Sequence, residues 1–407
     1  MAEKGIAAYV AVTAAYWAFM LTDGALRMLV LLHFKGLGFS PVQLAYLFLL
    51  YEVAGIVTNL SAGWIAARFG LTRTLYAGLG LQVLALLALA RLDPGWGLWA
   101  SVVYVMCVQG VSGVAKDLAK MSSKSAVKLL APGEGLFRWV AWLTGSKNAV
   151  KGLGFFLGAA LLAVAGFKGA VLGMAAVLAV ILLAVALRMP PGLPAGRKGA
   201  KFSEVFSKDA RVNWLSLARV FLFGARDVWF VVGIPIYFHG VLSDGTEEGA
   251  RQAFFLVGGF MALWIILYGG VQALAPRILR GVEPVRAAQG WVSALVAVPV
   301  VLAVAALVAG GPAPWLTWTL VLGLLVFGAL FAVNSSLHSY LILAFTSGER
   351  VTMDVGFYYM ANAAGRLLGT LLSGLSYQLG GLPLMLGTAA VMLALSALAV
   401  GRLSRLK

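Results

Sequence analysis

Tyr16-Trp-Ala-Phe-Met-Leu-Thr-Asp-Gly-Ala-Leu-Arg-Met-Leu-Val-Leu-Leu-His-Phe34 is an apolar run interrupted by Asp23 and Arg27. It sits inside a longer hydrophobic stretch, residues 6–34, and a helix of about 20 residues already crosses a bilayer core. A charge at the bilayer centre costs about 2.5–3.5 kcal/mol on the most lenient scale, so a buried arginine needs water, a counter-ion or an anionic ligand. Lys147, Lys151, Arg226 and Arg366 fall equally deep in other apolar segments.

Composition agrees with a membrane protein. The chain has 407 residues, 61% of them hydrophobic and only 11% charged, more apolar surface than one soluble core could hide. Its net charge of +16 would suggest nucleic acid in a soluble protein. Here much of that charge lies in short connections, where positive residues record orientation, and no nucleic-acid partner is expected. Cys107 is the single cysteine, which excludes an internal disulfide and any site built from several thiolates. The pattern of a cleavable signal is absent, because a full-length span follows a few polar-leaning residues.

Twelve spans are predicted, at residues 6–34, 41–67, 74–91, 98–126, 136–165, 169–188, 213–239, 252–279, 284–310, 315–345, 350–379 and 382–402. Ser40-Pro41 reads as a helix cap followed by a first-turn proline, and Asp93-Pro94-Gly95 as a turn. With both termini inside the cell, the cytoplasmic connections hold most of the cations, among them Arg68, Arg73, Arg188, Arg277 and Arg402. The outer ones hold only Lys35, Arg91, Lys168 and Arg251. A multi-pass protein of the inner (plasma) membrane, surrounded by membrane lipids, is the expectation. His33 and His239 close outer ends of spans as interfacial residues.

The longest polar stretch, Arg188 to Arg211, divides the spans six and six. Its Pro190, Pro191, Pro194, Gly192, Gly196 and Gly199 suit a flexible linker, leading to a short surface segment around Phe202 to Phe206. This gives an N-terminal bundle at 1–188, a cytoplasmic linker at 189–212 and a C-terminal bundle at 213–407. The bundles echo each other: Gly24-Ala25 and Gly224-Ala225, Ala67-Arg68 and Pro276-Arg277, Asn148-Ala149 and Asn362-Ala363. A duplicated six-helix unit resembles the plan of major facilitator transporters, an all-α integral membrane fold of two pseudo-symmetric bundles. Gly63-Trp-Ile-Ala-Ala67-Arg68-Phe-Gly70-Leu-Thr-Arg73 resembles the G-x-x-x-D-R-x-G-R-R signature of that superfamily, with Ala67 where the acid usually stands.

The deep charges make a constellation. Asp23 and Arg27 are four apart on one helix and can partner each other. Arg226 and Asp227 are adjacent, about 100° apart by helical geometry. By the repeat, their spans face each other across a cavity, so an arginine from each bundle can grip one substrate. Span 5 adds Lys147 and Lys151, span 11 adds Arg366 with Asn362, Tyr358 and Tyr359, and span 10 adds Asn334, Ser335, Ser336 and His338. Lys116, Lys120, Lys124 and Lys128 form a stripe near Asp117. Its outer two members, Lys124 and Lys128, snorkel to anionic headgroups, and Lys116 and Lys120 are expected to lie deep enough to reach the inner mouth of the cavity. Glu52 either carries a coupling proton or pairs with a cation of a neighbouring span, the second being favoured. Two acids, Asp23 and Asp227, cannot neutralise five cations, and the remainder points to a bound anion.

Several strings among these residues resemble the ArsJ organoarsenical efflux permeases over nearly the whole chain: Ala115-Lys-Asp-Leu-Ala-Lys-Met-Ser-Ser-Lys-Ser125, Leu143-Thr-Gly-Ser-Lys-Asn-Ala-Val-Lys151, Leu222-Phe-Gly-Ala-Arg-Asp-Val-Trp-Phe230 and Gly356-Phe-Tyr-Tyr-Met-Ala-Asn-Ala-Ala-Gly-Arg366. The resemblance implies export of 1-arseno-3-phosphoglycerate, conferring arsenate resistance. It also implies functional coupling to glyceraldehyde-3-phosphate dehydrogenase, which makes that ester from arsenate. On this reading a monomeric carrier, without cofactor or metal, clamps the two oxyanion heads with Arg27 and Arg226. Lys147, Lys151, Arg366 and Lys116 complete the charge, and Tyr358, Tyr359, Asn334, Asn362 and His338 orient the ligand. Asp23, Asp227, Glu52 and Asp117 pair with the cations. The alternative within transport is an exchanger of organic phosphate for inorganic phosphate. An enzyme acting on lipid headgroups lacks any metal spacing or nucleophile motif, and a channel would not need such deep, saturable charges.

Overall fold

The computed structural model describes residues 2–130, 136–190, 206–279, 281–345 and 351–406. Among these no strand occurs. In chain order the helices are α1 (Ala2–Gly36), α2 (Pro41–Tyr46), α3 (Leu49–Phe69), α4 (Leu71–Leu89), α5 (Leu98–Leu130), α6 (Leu136–Arg188), α7 (Ala210–Val228), α8 (Ile234–Leu242), α9 (Glu247–Ile278), α10 (Pro284–Ala309), α11 (Pro314–Phe345) and α12 (Val351–Leu403). One π-helical turn, Trp229–Gly233, joins α7 to α8 without a break in direction of sequence.

Among the described residues, ten helical stretches are long and apolar enough to cross a membrane. Two of them, Gly145–Arg188 and Gly356–Leu403, run for 44 and 48 residues. At 1.5 Å per residue each would be about 66–72 Å long, roughly twice a bilayer core, so neither can be a single pass. Each breaks where glycine allows it. Gly166 has φ 66° and ψ 179°, and Gly380 and Gly381 have φ −148° and 60°. These hinges fall where the sequence predicts the turns between spans 5 and 6 and between spans 11 and 12, which makes twelve passes. The cap also forms as read: Ser40 accepts from the Gln43 amide, Gln43 reaches back to the Ser40 amide, and Pro41 opens the helix. A single turn at Leu47–Phe48 divides the second span into α2 and α3.

Packing groups α1 with α5 and α6, and α4 with α5 and α6. It groups α12 with α7 and α10, and α11 with α9 and α10. The two groups meet where α6 lies along α9 and where α12 lies along α2 and α3. Close approach depends on glycine at matching places. A Cβ on Gly24 would stand 2.5 Å from the Lys151 carbonyl, and one on Gly158 would strike the backbone of Ala25. On the other side a Cβ on Gly224 would stand 2.9 Å from the Gly365 carbonyl, and one on Gly365 would strike Val220. Thus α1–α6 and α7–α12 are joined in the same way.

At one end the two groups seal against each other. Gly374 of α12 packs on the Pro41 carbonyl, and the Val42 amide donates to Gln378 at 3.3 Å. Val231, Val232 and Ile236 join the apolar cluster built from Phe34, Leu44 and Phe48. The predicted linker at 189–212 lies largely outside the described residues, as do the side chains of Lys124 and Lys128.

Candidate functional site

α1 and α3 bring the first charges together. Asp23 is buried, and its Oδ2 accepts from Lys151 of α6 at 2.9 Å while its Oδ1 accepts from the Tyr51 hydroxyl. Arg27 turns instead to Glu52, with Nη2 2.7 Å from Oε1. The expected partnership of Asp23 with Arg27 is therefore replaced by two contacts between helices. Spacing of four puts both on one face, but longer side chains from α3 and α6 reach them first. Arg27 also lies 5.2 Å from the ring centroids of both Phe48 and Tyr51, where the π faces favour its charge.

Glu52, wholly buried, is the junction. The same Oε1 accepts from Arg366 of α12 at 2.5 Å, and Oε2 has no hydrogen-bond partner. Arg366 in turn points Nε at Asp227 Oδ2, 3.4 Å away. Asp227 Oδ1 takes Arg226 at 2.5 Å from Nη2 and 2.7 Å from Nε. Sequence geometry set Arg226 and Asp227 on different faces of one helix. Here the long arginine folds back onto its neighbour just before the π-turn. The outcome is one continuous chain, Arg27–Glu52–Arg366–Asp227–Arg226, crossing from α1 and α3 to α12 and α7.

A second cluster flanks it. Asp117 of α5 accepts from Lys120 at 2.6 Å and from Asn59 at 3.1 Å, and Lys120 also donates to Asn59. Lys116 is buried with its Nζ 4.0 Å from the Tyr51 ring centroid. The adjacent tyrosines of α12 divide their attention: Tyr359 lies 5.7 Å from Lys120, and Tyr358 lies 5.0 Å from the guanidinium of Arg219. Lys147 stands half-buried one turn before Lys151.

Arg219 is absent from the sequence reading. It is 5% exposed, donates from Nε to Asn362 at 2.9 Å and from Nη1 to the Ser335 carbonyl and hydroxyl at 3.3 Å, and stacks 3.8 Å from Phe223. The signal is present in the sequence, since Arg219 is a basic residue inside an apolar span like Arg27 and Arg226. Tyr51, Asn59, Tyr268 and Gln272 were also missed, because neutral polar side chains carry no comparable signal. Gln272 donates to the Tyr268 hydroxyl at 2.7 Å and accepts from Asn148 at 2.9 Å, tying α9 to α6.

Asn334 and His338 belong to α11, the helix that also carries Ser335. Both are wholly buried, so neither side chain fronts open space. Asn334 donates back to the Leu330 carbonyl of its own helix at 3.1 Å, and neither nitrogen of His338 has a hydrogen-bond partner. The edge of α11 that carries them faces packed neighbours.

Among the described residues of this central cluster, seven cations (Arg27, Lys116, Lys120, Lys151, Arg219, Arg226 and Arg366) meet four carboxylates (Asp23, Glu52, Asp117 and Asp227). Three positive charges are left over. Desolvation of buried ions is expensive even when they are paired, so an uncompensated excess on this scale favours an anion between the helices. Arginine forks suit planar or tetrahedral oxyanions. Among the described residues no group of three or more His, Cys, Asp or Glu could hold a metal ion.

The Major Facilitator Superfamily profile matches residues 8–340. No curated protein sequence matches the chain. A POT family transporter in complex with 5-aminolevulinic acid is similar in structure with a TM-score of 0.75, at 16% identity over 97% of this chain and 96% of that one. A bacterial homologue of the iron transporter ferroportin gives 0.70 in its inward-facing state, at 14% identity over 99% and 98%. In its outward-facing state the score is 0.63, at 16% identity over 98% and 99%.

Proposed function

Since the chain belongs to the major facilitator superfamily and is a membrane transporter of that fold, we propose that its cargo is a small organic oxyanion with two charged heads, 1-arseno-3-phosphoglycerate, exported from the cytoplasm. The observation that carries this reading is the Arg27–Glu52–Arg366–Asp227–Arg226 chain, which joins the first six spans to the last six and holds more cations than acids. The resemblance to the ArsJ permeases supplies the arsenic, and the charges supply the polyanion.

The carboxylates act as internal counter-ions. Glu52 ties Arg27 to Arg366 across the two sets of helices, and Asp227 ties Arg366 to Arg226. An entering oxyanion offers stronger, multidentate acceptance to the same guanidinium donors, so Glu52 and Asp227 are released as substrate binds. Release loosens the link between α3 and α12 and lets the halves rock about the site, the motion by which this architecture alternates access. Lys151 and Lys116 lie next to the chain and add attraction for the second head.

A closed outer end suits an exporter. The seal at Gly374, Pro41 and Gln378 closes the end that the loop charges assign to the outside. Likeness to the inward-facing state of the ferroportin homologue exceeds that to its outward-facing state. On this reading both termini are cytoplasmic and the dehydrogenase that makes the ester delivers it to the inner mouth.

Removing one guanidinium removes a charge-assisted interaction worth about 1.5–3 kcal/mol, or roughly 10- to 150-fold in transport. Arg27→Ala and Arg226→Ala are therefore each expected to export at least about tenfold more slowly than the parent in inverted vesicles, because each removes a guanidinium from the chain that grips the cargo. Variants that export as well as the parent would show that the clamp is misplaced.

A further inference from the structure

α7 carries Arg219 two helical turns before Arg226, on the same side of the helix, and the two guanidinium groups share one aromatic ring. Their central carbons lie 3.8 and 4.9 Å from the Phe223 centroid, so they are at most the sum of those distances apart. Arg226 has Asp227 as counter-ion. Arg219 has no carboxylate at ion-pair distance among the described residues. Its acceptors are the Asn362 amide oxygen and the Ser335 carbonyl and hydroxyl, all neutral, and its Nη2 makes no hydrogen bond.

A buried guanidinium held only by neutral groups is costly, and a ring face offsets part of that cost but supplies no charge. The surroundings are built to hold it in place. Ser335 receives the Tyr268 hydroxyl at 3.3 Å, Tyr268 receives Gln272, and Gln272 receives Asn148, so polar groups from five helices converge around Arg219.

We propose that Arg219 is a second anion subsite, which takes one oxyanion head of a ligand whose other head occupies the chain at Arg226 and Arg366. The ligand class is a short-chain molecule with oxyanions at both ends. Phe223, against which both guanidinium groups lie, stands beside the neutral middle of the ligand. This rests on the two-headed anion reading above and adds where the second head goes: into the last six spans, beside Asn362 and Ser335, rather than onto Arg27 alone.

Equilibrium binding to the purified full-length protein in detergent tests it, with inorganic phosphate and propane-1,3-diyl bisphosphate as probes. The parent is expected to hold the bisphosphate at least about tenfold tighter than phosphate, a second charge-assisted contact being worth that much. Arg219→Gln is expected to bring the bisphosphate down to the level of phosphate and leave phosphate binding within about twofold. Arg219→Lys keeps the charge but loses the fork, and is expected to lose most of the bisphosphate advantage while keeping the parent's melting temperature within a few degrees. It serves if Arg219→Gln does not fold. Variants that keep the full advantage, or that lose both ligands equally, would overturn the subsite and leave the anion reading intact. A parent that binds neither probe would overturn both.

Discussion

Glu52→Gln is expected to cost the folded transporter about 3–5 kcal/mol, the usual penalty for removing one partner of a buried ion pair and leaving the other uncompensated. The effect is doubled in kind here, because one carboxylate oxygen serves two arginines, Arg27 at 2.7 Å and Arg366 at 2.5 Å. An amide of the same size leaves two cations on either side of a neutral group inside the protein. Arg366→Gln is the milder change, since Glu52 keeps Arg27 and Asp227 keeps Arg226. Combining Glu52→Gln with Arg366→Gln should therefore recover part of the stability lost by Glu52→Gln alone, a non-additivity visible in a double-mutant cycle of thermal unfolding in detergent. Transport should not recover with it, because a ligand arginine is gone. A melting temperature for Glu52→Gln equal to the parent's would mean that the carboxylate is not the junction described.

Gly158→Leu and Gly365→Leu should each cost more than about 3 kcal/mol, beyond the common range for overpacking. In both, the new side chain begins against backbone, at Ala25 for Gly158 and at Val220 for Gly365. Backbone cannot rotate aside as a flexible side chain can, so the helix pair α1–α6 or α7–α12 must move apart. Those pairs also position Asp23 against Lys151 and Asp227 against Arg366, and even a small separation would break these ion pairs. Gly173→Leu is the control, a lipid-facing glycine with nothing within 4 Å of its added Cβ. Size-exclusion of the solubilised protein should show loss of the folded peak for the first two and none for the control. Folded protein in normal yield from Gly158→Leu and Gly365→Leu would contradict the close packing.

The fold was largely legible because membrane helices are set by length and apolarity, which composition carries. The breaks at Gly166 and Gly380–Gly381 and the cap at Ser40 were readable for local reasons: glycine tolerates positive φ, and a serine before proline starts a helix. The π-turn at Trp229–Gly233 was not, since nothing in that apolar string distinguishes i+5 from i+4 hydrogen bonding. The charges themselves were visible, but their partners were not. Asp23 and Arg27 lie on one face by spacing, yet they pair with Lys151 and Glu52 on other helices. Partner choice between helices depends on which side chains are long enough and which helix faces meet, and that is a tertiary property. His338 and Asn334 looked like site residues because they are polar in an apolar span. Which face of α11 turns into the packed interior is likewise invisible in one sequence. Arg219 shows the opposite failing, a residue that the rule of deep cations would have found had it been applied to every span.

The central claim is that the cation excess at mid-membrane serves a two-headed oxyanion, exported as the arsenate ester of phosphoglycerate. Uptake into inverted vesicles measures it directly, with glyceraldehyde-3-phosphate dehydrogenase, its nicotinamide cofactor, glyceraldehyde 3-phosphate and arsenate outside, and arsenic counted inside. Accumulation is expected with the complete mixture and is expected to fall to the level of vesicles lacking the transporter when any one of the four is left out. Accumulation of arsenic from arsenate alone, or none from the complete mixture, would contradict it.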